Sequence, residues 1–310
     1  MTPSPEQIKL LLLGVIPPFV AAAALYFFLA PRALPPIDPA TSKLPRPRLA
    51  WVLPIFLAIT FFAIQPVIAG KFVLYPRSAS EWPLLICLIA AALSLVALAL
   101  KRPGPFRLCL RFALIITLGG FVAQRFLFRW SPIEIVSWLG LLGIFGTASW
   151  FMLSHTVVLN RGVSSIGILA LYTLAGALTC LPGLSSLPSA QFIGIISWAL
   201  LGIGAVSLLR PNLRLAENAT HVPVLLTTLI TFAVMLGASD DPAWVKVLFG
   251  ALMMLVPTLP FLADAVWKPV APTVGRTILR LTLALIPLLI IAAVGGKRAM
   301  DAMAADPYAY

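Results

Sequence analysis

The sequence predicts an all-α polytopic integral membrane protein, a helical bundle that crosses the bilayer about ten times. Hydrophobic residues make up 61% of the 310 residues and charged residues only 10%, which leaves too few polar side chains for a water-soluble surface. The apolar residues form continuous stretches, each close to the roughly 20 residues that a membrane-spanning helix needs. Because only short joints separate them, we expect residues 1–310 to form a single transmembrane domain without a soluble domain.

The predicted spans follow one another along the chain. They cover residues 9–30, 50–70, 83–100, 109–128, 134–155, 164–182, 189–209, 222–239, 244–264 and 277–296. The span 109–128 is the weakest, because Arg111 and Arg125 leave only a short apolar core between them. Residues 31–49 contain six prolines and four basic residues, which predicts an extended basic strap on the cytoplasmic side. The small and polar residues 297–310 predict a short mobile tail.

Basic residues are unevenly divided between the joints. If the amino terminus lies outside, 14 of the 22 lysines and arginines fall on the inner side. The positive-inside rule then predicts that both termini are non-cytoplasmic, in a cell inner or plasma membrane. The net charge of +12 is explained by contact with anionic lipid headgroups at the inner face. The expected partners are therefore membrane lipids and other membrane proteins, and not nucleic acid.

Arginines recur four residues apart on the predicted inner side. The pairs are Arg107 with Arg111, Arg210 with Arg214, and Arg276 with Arg280. Residues at this spacing share one face of a helix. Each pair could hold a phosphate through forked hydrogen bonds, or could contact anionic lipid in the ordinary way. These arginines are candidates for binding a substrate or a lipid.

Two further polar residues lie within or beside predicted spans. Gln65 precedes Pro66, where the proline removes a helical hydrogen bond and a broken helix could line a substrate site. Asp264 ends a span, and ionisable groups at membrane depth are costly and therefore functional candidates. Asp264 could instead form a structural pair with Arg280 or Lys268.

The remaining polar candidates, His155, Glu217 and His221, also lie at the predicted inner edge. A histidine with a carboxylate could act as a general base, although no spacing requires it, so we assign no catalytic residue. The three cysteines show no metal-ligand spacing; they are Cys87, Cys109 and Cys180. We therefore expect neither a metal nor a cofactor.

Glycines concentrate in the middle of the chain. Ten of the 20 lie between positions 140 and 204. Small residues allow helix backbones to approach closely in lipid. This distribution predicts that the spans 134–155, 164–182 and 189–209 form the tightly packed centre of the bundle.

Three functions agree with these observations. The first is a transporter of a small or amphipathic substrate, which could bear a phosphate, with a central cavity lined by Gln65, Asp264 and Gln191. In size and number of spans the chain is similar to drug/metabolite-type transporters, although it contains none of their motifs. The second is a non-catalytic structural or assembly subunit of a membrane complex. The third is a lipid-modifying transferase at the cytoplasmic interface, in which the histidines and acids converge.

Overall fold

The computed structural model describes residues 5–29, 51–69, 76, 81–99, 104–159, 162–181, 187–210, 213, 215–237, 242–266 and 274–305. Within these residues the chain forms ten long helices, a short helix α5 and a 3-10 turn at Glu217–Thr220. The helices are α1 (Pro5–Leu29), α2 (Val52–Ala69), α3 (Trp82–Ala99), α4 (Gly104–Val122), α5 (Gln124–Leu127), α6 (Pro132–Leu159), α7 (Val163–Cys180), α8 (Leu187–Leu209), α9 (His221–Gly237), α10 (Ala243–Val266) and α11 (Val274–Ala305).

Seven of the described helices are long and apolar enough to cross a membrane, namely α4 and α6 to α11. Shorter apolar segments lie in α1, α2 and α3, at Gly14–Leu29, Val52–Val67 and Trp82–Ala97. The predicted all-helical class is confirmed, and each of the ten apolar stretches coincides with one long helix. The seven helices fit a multi-pass membrane protein.

Two boundaries differ from the prediction. Helix α4 begins at Gly104 and ends at Val122, so Arg111 lies two turns inside the helix instead of near its start. Helix α11 continues to Ala305, so residues 297–305 are helical. Alanine, methionine, lysine and arginine dominate this segment, and all four favour a helix. The strap at 31–49 and residues 306–310 lie outside the described residues.

The centre of the bundle is formed by α7, α8 and α9. In the apolar span of α9, 83% of the residues are buried, against 72% for α7 and 61% for α8. Helix α6 is only 33% buried, although its glycines predicted a central position. Helix α9 is central although it contains threonines in place of glycines. The Thr227 side chain of α9 occupies the space beside Gly176 of α7, where a Cβ would collide with it. A threonine facing a glycine therefore supplies the close approach that glycine alone was expected to mark.

Polar contacts connect the helices at one end of the bundle. Ser94 of α3 and Asn218 bond to each other, Ser154 of α6 meets Thr220, and the His155 ring lies 5.2 Å from that of Phe261 in α10. We call this the arginine end, because it contains Arg107, Arg111, Arg210 and Arg280. The structure places the predicted polar residues His155, Glu217, His221 and Asp264 at this same end.

Helix α1 packs against α8 at a glycine. A Cβ added at Gly202 would overlap the backbone carbonyl of Phe19 in α1, and a backbone atom cannot move aside as a flexible side chain can. Gly194, two turns earlier on α8, has nothing within 4 Å of the same position. The contact between α1 and α8 therefore depends on the absence of a side chain at Gly202.

Gly202→Ala should lower the free energy of unfolding by about 1–3 kcal/mol, the usual cost of overpacking a filled contact. Gly194→Ala is the matched control on the same helix, and alanine should leave stability unchanged or raise it by up to about 1 kcal/mol. Thermal unfolding of both variants in detergent measures the difference. Equal stability of the two variants would contradict the close contact.

Candidate functional site

A cleft of about 80 Å³ lies at the arginine end, between α3, α4, α6 and the start of α9. We call it the arginine cleft. Its apolar wall comes from α3 and α4 and consists of Leu93, Val96, Ala97, Phe106, Leu110 and Leu114. Its polar side consists of Arg107, Arg111, Trp150, Glu217, Asn218 and His221. The cleft thus combines charged groups with a hydrocarbon surface.

Two arginines share one carboxylate in this cleft. Arg111 Nη2 lies 2.5 Å from Glu217 Oε1, and Arg107 Nη1 lies 2.9 Å from Glu217 Oε2. The arginines are one turn apart on α4 and therefore face the same way, as their spacing predicted. The Arg111 side chain is only 10% exposed, whereas that of Arg107 is 42% exposed. Arg107 is consequently the arginine that a molecule approaching the cleft meets first.

Trp150 of α6 forms the inner limit of the cleft. The Arg111 guanidinium lies 5.0 Å from the centre of the Trp150 ring, a distance at which a cation is attracted to the ring face. The His221 ring meets the Trp150 ring edge-on at 5.0 Å. Trp150 is almost completely buried, and its indole N–H has no hydrogen-bond acceptor among the described residues. The cleft therefore contains a buried donor that a ligand oxygen could use.

The 3-10 turn that carries Glu217 is held from two sides. The Asn218 side chain donates to the Ser94 carbonyl at 2.7 Å, and the Ser94 hydroxyl, which donates to the Ala90 carbonyl at 2.7 Å, lies 3.3 Å from the Asn218 carbonyl. The hydroxyls of Thr220 and Ser154 lie 3.1 Å apart. Inside the turn, His221 Nδ1 donates to the Asn218 carbonyl at 3.1 Å. These bonds fix the backbone below Glu217 and hold its carboxylate near the arginines.

Asp264 forms a second ion pair, away from the cleft. Its Oδ1 accepts from Arg280 Nε at 2.6 Å and lies 2.5 Å from Arg280 Nη2. Both side chains are mostly buried, and this pairing is one of the two alternatives that the sequence left open. The other partner, Lys268, lies outside the described residues. The pair joins the end of α10 to the start of α11, which gives it a structural role.

The other candidates occupy separate places. Arg210 lies 4.9 Å from the centre of the Phe27 ring, which joins α8 to α1, and Arg276 lies on the first turn of α11. Gln65 is buried in α2, and Arg214 lies outside the described residues. His155 is exposed on α6 between the rings of Phe151 and Phe261.

These positions bear on two of the expected arrangements. Gln65, Gln191 and Asp264 were expected to line a central cavity. They line neither the arginine cleft nor a second cavity between α6, α7, α9 and α10. His221 and Glu217 lie in the arginine cleft, whereas His155 packs on Phe261 and Asp264 binds Arg280. The histidines and acids therefore belong to different clusters and do not converge on one site. The described residues also contain no group of three His, Cys, Asp or Glu side chains able to hold a metal ion.

A second cavity of about 70 Å³ lies between α6, α7, α9 and α10. We call it the methionine cavity, after Met235, Met253 and Met254 in its wall. Lys246 and Trp138, near the starts of α10 and α6, place it toward the end of the bundle opposite the arginine end. Its lining is almost entirely apolar. The Tyr172 and Thr228 hydroxyls, 2.8 Å apart, mark its inner side.

Trp150 is the functional candidate that the sequence did not single out. Tryptophans near the ends of membrane spans commonly form an aromatic belt, but Trp150 lies nine residues before the end of α6, roughly 13 Å along the axis. Its position inside a span distinguishes Trp150 from such a belt, and its spacing of four residues from Ser154 places both on one face of α6.

Comparisons with protein-family models, curated proteins and solved structures find no match to this chain.

The ion pair between Asp264 and Arg280 should be essential for stability. Asp264→Asn leaves the buried Arg280 without its opposite charge, and we expect a loss of about 3–5 kcal/mol in the free energy of unfolding. Asp264→Asn combined with Arg280→Gln removes both charges and should recover at least about half of that loss. Unfolding titrations in detergent compare the variants, and a double variant no more stable than Asp264→Asn would contradict this account.

Proposed function

We propose that this protein is a multi-pass transporter of an amphipathic anion, with a phosphate or similar headgroup, in a cell inner or plasma membrane. The observation that carries the proposal is the arginine cleft, which joins two arginines to an apolar wall. We further propose that all ten long helices cross the membrane, with both termini non-cytoplasmic and the arginine end at the inner face. Anionic lipid headgroups at that face are then the natural partners of the arginines.

The shape of the cleft supports an amphipathic ligand. Val96, Phe106 and Leu110 of the apolar wall are exposed on the lateral surface of the bundle, where acyl chains would surround them. Arg107 and Arg111 lie beside this wall, in the same turns of α4 as Phe106 and Leu110. A molecule with a charged head and an apolar tail satisfies both surfaces at once, with forked hydrogen bonds to the head. A small hydrophilic anion would make no use of the apolar wall.

The two cavities support movement across the membrane. Helices α6 and α9 line both of them, and on α6 the neighbours Ser149 and Trp150 face different cavities. On α9, His221 and Thr228 are seven residues apart, roughly 10 Å along the helix. The layer of side chains between the two cavities includes the ring pair of Trp150 and His221. Opening this layer would join the cavities and carry a headgroup from one end to the other.

A second candidate function, a subunit of a membrane protein complex, is favoured by the filled centre of the bundle. Phe61 of α2 and Phe192 of α8 are fully buried and stack at 6.0 Å, and α7 and α9 are mostly buried around them. A rigid centre of this kind suits a protein that supports a neighbour. Such a subunit would not move lipids by itself, so the experiment below separates the two functions.

Transport is tested with purified protein in vesicles that contain fluorescent phosphatidylglycerol, with fluorescent phosphatidylcholine as the zwitterionic control. We expect the protein to move phosphatidylglycerol faster than phosphatidylcholine between leaflets. Arg111→Gln should slow this movement by about tenfold, because a charge-assisted hydrogen bond to the headgroup is lost. Arg210→Gln is the matched control, since Arg210 lies at the same end but lines neither cavity.

Bleaching of outer-leaflet fluorescence measures the movement, and thermal unfolding checks that each variant is folded. Movement no faster than in protein-free vesicles would contradict transport of this ligand and favour the subunit. An Arg111→Gln variant as fast as the unchanged protein would contradict the role of the cleft.

The orientation is tested with two exposed positions at opposite ends. Phe128, before α6, is 85% exposed, and Val274, at the start of α11, is 78% exposed. In a Cys109→Ser background, an impermeant maleimide should label Phe128→Cys in intact cells and Val274→Cys only after permeabilisation, because the basic end faces inward. The reverse pattern of labelling would place the arginine end outside.

A further inference from the structure

The charged side chains of the arginine cleft do not cancel. Arg107 and Arg111 carry two positive charges, and Glu217 supplies one negative charge between them. One positive charge therefore remains on the polar side of the arginine cleft. A ligand with one negative charge would make this group neutral, whereas a ligand with two would leave an excess negative charge beside Glu217.

We propose that Glu217 determines the charge class of the ligand, so that the cleft selects amphipathic molecules with singly charged headgroups over those with doubly charged headgroups. Phosphodiesters belong to the favoured class and phosphomonoesters to the disfavoured class. This inference rests on the proposed function, because it concerns the ligand of the same cleft.

The geometry leaves room for a headgroup while Glu217 stays in place. Glu217 contacts one terminal nitrogen of each arginine, and a guanidinium carries five N–H donors. Donors therefore remain on the half-exposed Arg107, where a headgroup can reach them. An oxygen anion can meet these donors without displacing the carboxylate.

Glu217 also cannot withdraw easily to admit a second negative charge. The turn that carries it is bonded to α3 through Asn218 and to α6 through Thr220, and both residues are buried. Withdrawal would leave the largely buried Arg111 without an opposite charge, which is costly. The negative charge of Glu217 is thus a fixed part of the cleft, and it repels a doubly charged headgroup.

The test measures binding of short-chain lipids to the purified full-length protein in detergent. Phosphatidylglycerol presents one charge, and phosphatidic acid, a phosphomonoester, presents about −1.5 to −2 at pH 7. The unchanged protein should bind phosphatidylglycerol at least about fivefold more tightly than phosphatidic acid, a ratio within reach of one charge at a partly exposed site. Deacylated phosphatidylglycerol, which has no tail, should bind at least about tenfold more weakly than the lipid because it cannot cover the apolar wall.

Glu217→Gln should reverse the preference toward phosphatidic acid, because two positive charges then face the headgroup. Arg107→Gln with Glu217→Gln returns the cleft to one positive charge and should restore the preference for phosphatidylglycerol. Glu134→Gln is the matched control for overall charge, since Glu134 is exposed at the opposite end and glutamine can keep its contact with Ser131. This control should leave the preference unchanged.

If Glu217→Gln does not fold, Arg107→Gln keeps the question open to measurement. Its cleft has no net charge, and it should lose the preference for phosphatidylglycerol over phosphatidylcholine. An unchanged ratio of the two anionic lipids in folded Glu217→Gln, or the same reversal in Glu134→Gln, would overturn the role of Glu217 while leaving anion binding by the cleft intact. Equal binding of phosphatidylglycerol, phosphatidic acid and phosphatidylcholine, with no change in Arg111→Gln, would overturn the proposed function itself.

Discussion

A bilayer interior offers no hydrogen-bond partner, so most polar side chains of the bundle find one within the protein. Some hydroxyl groups bond back to carbonyls of their own helix, as Thr179 does with Ala175, and others pair between helices, as Ser197 does with Thr173. Acids and arginines instead meet across helices at the arginine end, in two ion pairs of different kinds. The pair of Asp264 with Arg280 is mostly buried and joins two helices. The group at Glu217 remains partly open, so only this group can meet a ligand without unfolding the helices around it.

The sequence predicted those features that depend on one helix at a time. Long apolar stretches identified each of the ten long helices, and the four-residue spacing placed Arg107 and Arg111 on one face. It could not predict that Glu217, more than 100 residues away, binds both arginines, because spacing along one helix does not reveal which element faces it. The same limit applied to Asp264, for which the sequence reduced the partners to two and only tertiary structure selected Arg280. The extension of α11 to Ala305 follows from helix propensity, which the polarity of residues 297–305 does not reveal.

The centre of the bundle shows why composition alone misplaces helices. Glycine content predicted α6 as central, but a glycine supports a close contact only where another helix approaches it. A Cβ at Gly140 of α6 would meet nothing within 4 Å, whereas one at Gly143 would meet Phe112 of α4 and one at Gly146 would meet Thr228 of α9, so only part of the glycine run in α6 faces another helix. In α7, a Cβ at Gly176 would meet Thr227 of α9. Helix α9 has the most buried span without such glycines, because its threonines fit against small residues opposite, as Thr227 does against Gly176. The partner surface, which no single sequence records, determines the close approach.

Helices α7, α8 and α9 form a densely packed centre, whereas both cavities are lined by α6, and this difference restricts where any movement can occur. Helices α7, α8 and α9 pack tightly, so separating them would expose polar hydroxyls to hydrocarbon and open voids in a dense core. The span of α6 is only 33% buried, yet it lines both cavities through adjacent residues, Ser149 and Trp150. A small displacement of α6 relative to α9 would disturb the contact of Trp150 with His221 and leave the centre unchanged. The least costly path between the cavities therefore runs along the margin of the bundle, where the apolar wall of the arginine cleft already faces the surrounding lipid.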